Sequence, residues 1–325
     1  LLNQEHNMQV STDPALGSSL SMQGTGGEHI KFLVDGVPVI GRKNGMIDLN
    51  QLNLSNIAKV EIVKGPMSVL YGSDALGGVV NLITKTAEKE QVSGGANFYY
   101  ENNGTYNVDG SASAKYRKTL FQVSGGRNFF DGWSNPDTSR WQAWKPKEQY
   151  FGDLKLVQSF DRTRVTVQGS YFADKIIDKS NTFITPYYAT ANDKYYKTTR
   201  LTGQVHVSQQ FTPKQKLESD AAYSYYRYIK NTYIKNMVDL TQTLTPDSLD
   251  DDTTQFRDIF IRSVYSQVLK EDKLSIMGGA EFTAERAIGH RIDGQEHEIN
   301  DASLFATAEY VAFTKLTLRP SVRLD

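Results

Sequence analysis

The chain has 325 residues, enough for one large domain or two moderate ones. A formal net charge of -1 creates no strong global field toward nucleic acid or an acidic surface, and no nucleic-acid partner is expected. Mean hydropathy is -0.48, and no run approaches the roughly 20 apolar residues of a membrane helix, which excludes a helical membrane protein but not a membrane β-barrel with alternating strands.

Cysteine is absent, which fits an oxidising compartment, although many cytosolic proteins also lack it. The sequence as given begins at Leu1 without an initiator Met, a basic region or an apolar run of the kind an export signal would show. The end, KLTLRPSVRLD, reads as a strand that has barely started. Both ends suggest an internal piece of a longer polypeptide.

Residues 11–88 hold the apolar strand candidates IKFLVDGVPVI, KVEIV and GVVNLIT, separated by Gly-rich bends. No long alternating segment occurs there. This composition suggests a small mixed domain buried by something larger, with a boundary in TAEKEQ, about Thr86 to Gln91. The division is therefore 1–88 and 89–325.

From Gln91 onward the dominant period is two. Tyr106, Val108, Gly110, Ala112, Ala114 and Tyr116 fall on one face, with Asn107, Asp109, Ser111, Ser113, Lys115 and Arg117 opposite. Val165, Val167, Gly169, Tyr171 and Ala173 repeat the pattern against Arg164, Thr166, Gln168, Ser170 and Asp174. Small and aromatic residues on the apolar face suit strands that meet lipid.

The connections alternate as well. Arg117-Lys118, Phe160–Arg162, Phe211–Lys214, Lys270–Lys273 and Phe313–Lys315 are tight polar turns. Between them lie long excursions at Asp131–Pro146, Ile177–Tyr195, Asn231–Asp252 and Ile288–Asn300, with a short one at Glu101–Gly104. Long loops gathered at one end distinguish an outer-membrane barrel from a soluble β-sandwich. About eleven strands are expected, roughly half of the 22-stranded class whose lumen is plugged.

The residues LSMQGTGGEHIKFLVDGVPV and IDLNQLNLSNIAKVEIVKGPMSVLYGSDALGGVVNLITK carry a family resemblance. The Asp35-Gly36 turn, EIVKGP, YGSDALGG and NLITK, in that order and spacing, resemble the plug domain of TonB-dependent outer-membrane receptors. GSDALGGVVN is especially similar to the cobalamin receptors, and DGVPVIGRKNG followed by IDL resembles Bacteroidetes-like members. The resemblance covers about Ser11 to Lys85. A departure is Met22-Gln23-Gly24, where many relatives carry an Arg-Gly pair, which puts one plug–barrel ion pair in doubt.

The resemblance implies an all-β-dominated plugged transmembrane barrel with a small α+β plug, in the outer membrane of a Gram-negative bacterium. It implies a receptor rather than an enzyme, for a ferric siderophore, haem or cobalamin, with no intrinsic cofactor. The implied partners are the lipid bilayer and a TonB–ExbB–ExbD energy complex acting through a segment upstream of Leu1; a surface lipoprotein is a further partner it allows. Within the motif, Gly65-Pro66 is expected to fix a turn, and Gly72, Gly77 and Gly78 to bend where side chains would clash with the barrel wall. Lys64 and Glu61 are expected to pair with barrel charges such as Arg164, Asp174 or Glu309 and so register the plug.

The resemblance makes GRKNG an apical plug loop, where Arg42, Lys43 and Asn44 would offer donors to an anionic ligand; a solvated basic turn is the competing reading. Trp133, Trp141 and Trp144 share one external loop, and Tyr187, Tyr188, Tyr195 and Tyr196 crowd the next. Such aromatics suit a flat ligand or a partner protein, and loop packing would explain them too. His290 and His297 lack a third ligand, and the acidic run Asp247, Asp250, Asp251, Asp252 lacks the spacing of an EF-hand. A solvated pair is the stronger reading for the histidines and a charged loop for the acids, although Ca²⁺ stays open there. GTGGEH is no dinucleotide fingerprint, no G-x-S-x-G elbow occurs, and no catalytic set stands out. A barrel enzyme and a soluble β-rich adhesion module are the rivals from other classes.

Overall fold

The computed structural model describes residues 7–13, 17–42, 45–64, 68–72, 75–87, 91–135, 140–269, 273–313 and 316–325. The N-terminal part opens with an antiparallel pair, β1 (Met8–Asp13) and β2 (Gly17–Met22). It continues through β3 (Ile30–Val34), β4 (Val37–Pro38), β5 (Ile57–Lys64), a single helical turn α1 (Ser68–Tyr71) and β6 (Gly78–Thr84). The last four strands form one sheet in the order β4-β3-β6-β5, with β3 and β6 parallel.

The run IKFLV reads as apolar throughout because both faces of β3 are covered, with Ile30, Phe32 and Leu33 all buried. Ile30 and Phe32 join Met8, Leu20, Met22, Ile47, Val80 and Leu82 in the plug core. Burying each such side chain contributes about 1.5–3 kcal/mol. Met22 is fully buried in that core.

Between β3 and β4 the chain reverses through Asp35 (φ 49°) and Gly36 (φ 87°). Two successive positive φ values select an Asp-Gly pair for a tight hairpin turn. The Asp35 carboxylate accepts hydrogen bonds from the Thr84 amide (2.9 Å) and hydroxyl (2.6 Å), so the turn also pins the end of β6.

The second part is one large antiparallel sheet. Its strands are β7 (Val92–Glu101), β8 (Thr105–Tyr116), β9 (Thr119–Phe130), β10 (Lys147–Ser159) and β11 (Thr163–Lys179). They continue with β12 (Phe183–Ile184), β13 (Ala189–Thr212), β14 (Gln215–Asn236), β15 (Gln242–Leu244) and β16 (Asp252–Leu269). Last come β17 (Leu274–Gly289), β18 (Glu296–Phe313), β19 (Leu316–Leu318) and β20 (Ser321–Leu324). Neighbours in sequence are neighbours in the sheet, apart from the short β12, β15 and β20, which pair at its ends.

Alternation sets the two faces of this sheet. On β16, Phe260 is 1% exposed while Ile259 and Ile261 are 45% and 46% exposed. Phe260 packs with Ala222 and with Val37 of the plug, so the buried face is the one that meets the plug. Leu154, Leu156, Val167, Tyr171, Leu201, Val205 and Leu304 stand on the opposite face, forming an apolar outer band.

The tight turns after Tyr116, Ser159 and Thr212 fall where the sequence places them, and Asp131–Pro146 is a long connection. Lys270–Asp272, Thr314 and Lys315 lie outside the described residues. Two other excursions differ from expectation. Across Ile177–Tyr195 the ladder continues, with Ile177 opposite Tyr195 and Lys179 opposite Asp193. Across Asn231–Asp252, β14 runs on to Asn236 and β15 pairs back onto it. The polar composition concealed a continuing period of two, held by cross-strand aromatics such as Tyr195 against Tyr233 at 5.6 Å. The 24 residues of β13 reach about 80 Å, far beyond the roughly 9–11 that cross a bilayer.

Candidate ligand vestibule between plug and barrel

The inner face of the sheet holds the plug through polar clamps. From β13, Arg200 donates through Nε to Gln51 Oε1 (3.0 Å) and through its terminal nitrogens to the carbonyls of Ile40 (2.5 Å) and Gly41 (3.3 Å). Its guanidinium also lies 4.4 Å from the Tyr226 ring centroid. Gly41 has φ +79°, and a Cβ there would run into that tyrosine ring. The stacked arginine therefore grips bare backbone at the plug apex.

A second cluster forms around Asp35. Gln168 of β11 donates to its carboxylate at 2.8 Å, and Lys155 of β10 approaches it at 3.9 Å. Lys155 also donates to the Thr84 hydroxyl and, at 3.3 Å, to the Lys85 carbonyl. Asn53 donates to Asp153 (3.1 Å), and Gln149 to the Asn50 carbonyl (3.0 Å). Farther round, Arg262 lies over the rings of Tyr71 (4.9 Å) and Phe305 (5.0 Å) and pairs with Glu281 at 3.5 Å.

Cavities flank these contacts. Toward the long-loop end lies one of about 480 Å³, between the plug residues Pro38, Ile40 and Arg42 and the wall residues Asp258, Glu285 and Asp301. Toward the short-turn end lies one of about 500 Å³, lined by Asp35, Glu61, His206 and Asp220. Inside the plug, burial pushes the Asp48 carboxyl above its ordinary value, although the Ser18 and Asn50 amides both donate to it at 2.9 Å.

The residues singled out in the sequence fall in several places. Arg42 sits on the vestibule wall, but its guanidinium donates to the carbonyls of Gly27, Glu28, Ile30 and Gly45 at 2.9–3.1 Å. It braces the plug loop as well as facing the cavity. Lys43, Asn44, Gly65 and Pro66 lie outside the described residues.

Glu61 departs from its expected barrel pairing. It binds Lys59 at 2.7 Å and Asn81 at 3.5 Å, both plug neighbours on the same sheet. Lys64 ends β5 in an exposed position. Of the barrel charges named for these pairings, Asp174 accepts from the Thr198 amide (3.1 Å) and Glu309 pairs with Arg319 (2.9 Å).

The glycines also need correction. A Cβ on Gly78 (φ +136°) would meet the Val63 carbonyl at 2.5 Å, and one on Gly77 the His29 carbonyl at 3.2 Å. Both positions are closed by the plug's own backbone rather than by the barrel wall. Gly72 (φ +84°) is the one that adjoins the wall: a Cβ there would lie 3.5 Å from the Arg323 guanidinium.

In the 131–146 loop the backbones of Trp133 and Trp144 exchange paired 2.9 Å hydrogen bonds. With Phe130 and Asn103 their side chains line a cleft of about 300 Å³. Trp141 is placed differently, capped by Lys145 at 4.6 Å, which in turn pairs with Asp178 at 2.7 Å. The loop packs down through Arg140, which meets the buried Asp193 at 2.5 Å. Tyr187 is 93% exposed, and Tyr188 packs on Phe183 at 6.3 Å.

Among the described residues no cluster of three or more His, Asp or Glu is arranged for a metal ion. The acidic run serves its own loop: Asp250 accepts from Thr245, Asp251 from the Thr232 amide, and Asp252 pairs with Arg291.

Arg200, Lys155, Gln168 and Arg262 were not singled out in the sequence. A signal was present, because each stands on the polar side of an alternating strand whose other side is apolar. A long charged side chain at a lumen position must find a partner, and here the plug supplies it.

Comparison with known proteins agrees with this geometry. Residues 1–79 match the TonB-dependent Receptor Plug Domain family. The chain is 36% identical over 93 residues to the vitamin B12 transporter BtuB of Vibrio cholerae, a match covering 28% of this chain and 15% of that protein. In fold it resembles the ferric enterobactin receptor PfeA of Pseudomonas aeruginosa (TM-score 0.72, 17% identity, 98% of this chain and 53% of that one). It also resembles the siderophore receptor PirA of Pseudomonas aeruginosa (TM-score 0.66, 16% identity, 94% and 49%). The chain thus spans about half the length of the solved receptors it matches. Residues 1–79 are thus similar to the plug domain of TonB-dependent receptors, and the chain has the fold of part of a plugged β-barrel receptor.

Proposed function

We propose that residues 1–88 act as the plug, and 89–325 as part of the barrel, of an energy-coupled uptake receptor for a scarce metal chelate. The observation that carries this reading is the plug seated against the inner wall by Arg200 and Lys155, with a 480 Å³ cavity toward the long loops. A ligand arriving from outside meets the cleft at Trp133 and Trp144, then the vestibule floor at Arg42. A pull by the TonB–ExbB–ExbD complex on the plug side then loosens the polar clamps and lets the ligand pass. Hydrogen bonds suit this task, because they exchange for water at little net cost once loosened.

The favoured cargo is a ferric siderophore or haem, in line with the siderophore receptors the fold resembles. Cobalamin is the second reading, favoured by the 36% identity over 93 residues to a vitamin B12 transporter. Growth of a deletion strain on single iron or cobalamin sources separates them. Loss of growth on one source, restored by the full-length gene, identifies the cargo. Undiminished growth on every source removes the proposal.

A further inference from the structure

Three neighbouring strands present carboxylates to the vestibule at nearly the same height. Asp258 on β16 stands directly opposite Glu285 on β17, and Asp301 on β18 is paired with Thr283, two residues along from Glu285. All three line the 480 Å³ cavity, and Glu28 of the plug lines its other side. The group is more than a solvated acidic face. Asp258 is only 2% exposed, yet its Oδ1 has no hydrogen-bond partner.

Among the described residues the basic groups lining this cavity are mostly held by other partners, although Arg323 Nη1 has none. Arg42 is bound to four plug carbonyls. Lys31 donates to the Tyr71 carbonyl at 2.7 Å. Arg323 pairs with Glu281 (3.4 Å) and Asp325 (2.6 Å). Arg257 alternates away from the lumen, next to the inward Asp258 on the same strand. A buried carboxylate oxygen without a donor is costly unless a partner arrives. Asp258 and Glu285, side by side, would also repel one another when both are ionised.

From these observations we infer that the Asp258–Glu285–Asp301 wall receives a cationic nitrogen group, an ammonium or amidinium, carried by the transported ligand. The inference rests on the uptake reading above and narrows its cargo to chelates bearing such a group. An N–H donor satisfies Asp258 Oδ1 while its positive charge relieves the crowding with Glu285. The aromatic cleft, lined by Asn103, Phe130, Trp133 and Trp144, lies at the long-loop end of β9.

The test uses full-length receptor in detergent and titrates spermidine as the cationic probe, with citrate as the anionic one and CaCl₂ as the metal one. Spermidine should bind the wild type and weaken with added salt. Affinity should fall about tenfold or more in Asp258→Asn and, independently, in Glu285→Gln, while citrate should not bind at this wall. The inference is overturned if spermidine does not bind, if both variants bind it as wild type does, or if CaCl₂ displaces it stoichiometrically. None of these results bears on the growth phenotypes, so the inference can fail while the uptake reading stands. Failure of those phenotypes would equally leave the titration interpretable.

Discussion

Arg200 of the barrel wall and Gln51 of the plug are joined by a 3.0 Å hydrogen bond, with the same guanidinium stacked 4.4 Å from the Tyr226 centroid. The stack fixes the plane of the fork, so its nitrogens point at the Ile40 and Gly41 carbonyls without further adjustment. Arg200→Met keeps the length of the side chain and removes every donor. Each lost bond to the charged group is worth about 1.5–3 kcal/mol locally. The plug apex should loosen while the barrel stays folded, because Lys155 and Asp153 still hold the other clusters. Increased sensitivity of cells to large antibiotics, with unchanged heat-modifiable migration of the receptor, is the expected result. Unchanged sensitivity would show that the apex is held without Arg200.

The alternation that puts Arg200 inward is visible in the sequence, and so was the barrel itself. Residues such as Val165, Val167 and Tyr171 announce a face by their spacing alone. What stayed hidden was pairing across long separations. Nothing near Lys155 shows that its partners are Asp35, Thr84 and Lys85, some 70 or more residues away. Glu61 looked available for a barrel charge because a strand pattern shows which side chains share a face but not which of them bind, and here Glu61 pairs with its own neighbour Lys59. The vestibule was missed for the same reason: Asp258, Glu285 and Asp301 are ordinary lumen residues until the register aligns them.

Gly17 tests the packing of the plug core at its first hairpin. Its φ is +99°, and an added Cβ would fall on the Asp48 carboxylate, which caps the turn at Asn50 and accepts from the Ser18 amide. Gly36 also has a positive φ, +87°, but a Cβ there meets nothing within 4 Å. Gly36→Ala should cost about 1 kcal/mol, the conformational penalty alone. Gly17→Ala adds a steric clash and a displaced cap, for a loss of about 2–4 kcal/mol. Thermal unfolding of the plug in full-length receptor should rank the two variants in that order. Equal losses would show that the Asp48 contact carries no weight.

Asp48 also makes a pH prediction with a definite sign. Burial raises its pKa in the folded plug above its ordinary value, so over the interval between the two the folded form holds a proton that the unfolded chain has already released. Where the folded state binds more protons, stability falls as pH rises. The loss begins near the unfolded value and levels off above the folded one. Asp48→Asn retains an oxygen acceptor for Ser18 and Asn50 and removes the titration. The stability difference between variant and wild type should therefore grow in favour of the variant as pH rises from 4 to 7. A difference that stays constant over this range would place the Asp48 pKa at its ordinary value.

The tryptophans of the 131–146 loop divide into two roles. Trp133 and Trp144 line an open cleft with Phe130, whereas Trp141 is capped by Lys145, itself paired with Asp178. Replacing a true ligand anchor by alanine costs about 2 kcal/mol or more, roughly thirtyfold in affinity. Trp133→Ala and Trp144→Ala should each show such a loss for whichever ligand supports growth. Trp141→Ala should leave affinity within about threefold of wild type and raise protease cleavage in the loop, since it removes a packing contact rather than a cleft wall. Fluorescence titration of full-length receptor with ferric siderophores, haem and cobalamin measures the affinities, and limited proteolysis reads the loop. If Trp141→Ala alone weakens binding, the ligand lies on the Lys145 side of the loop and the Trp133–Trp144 cleft is not its path.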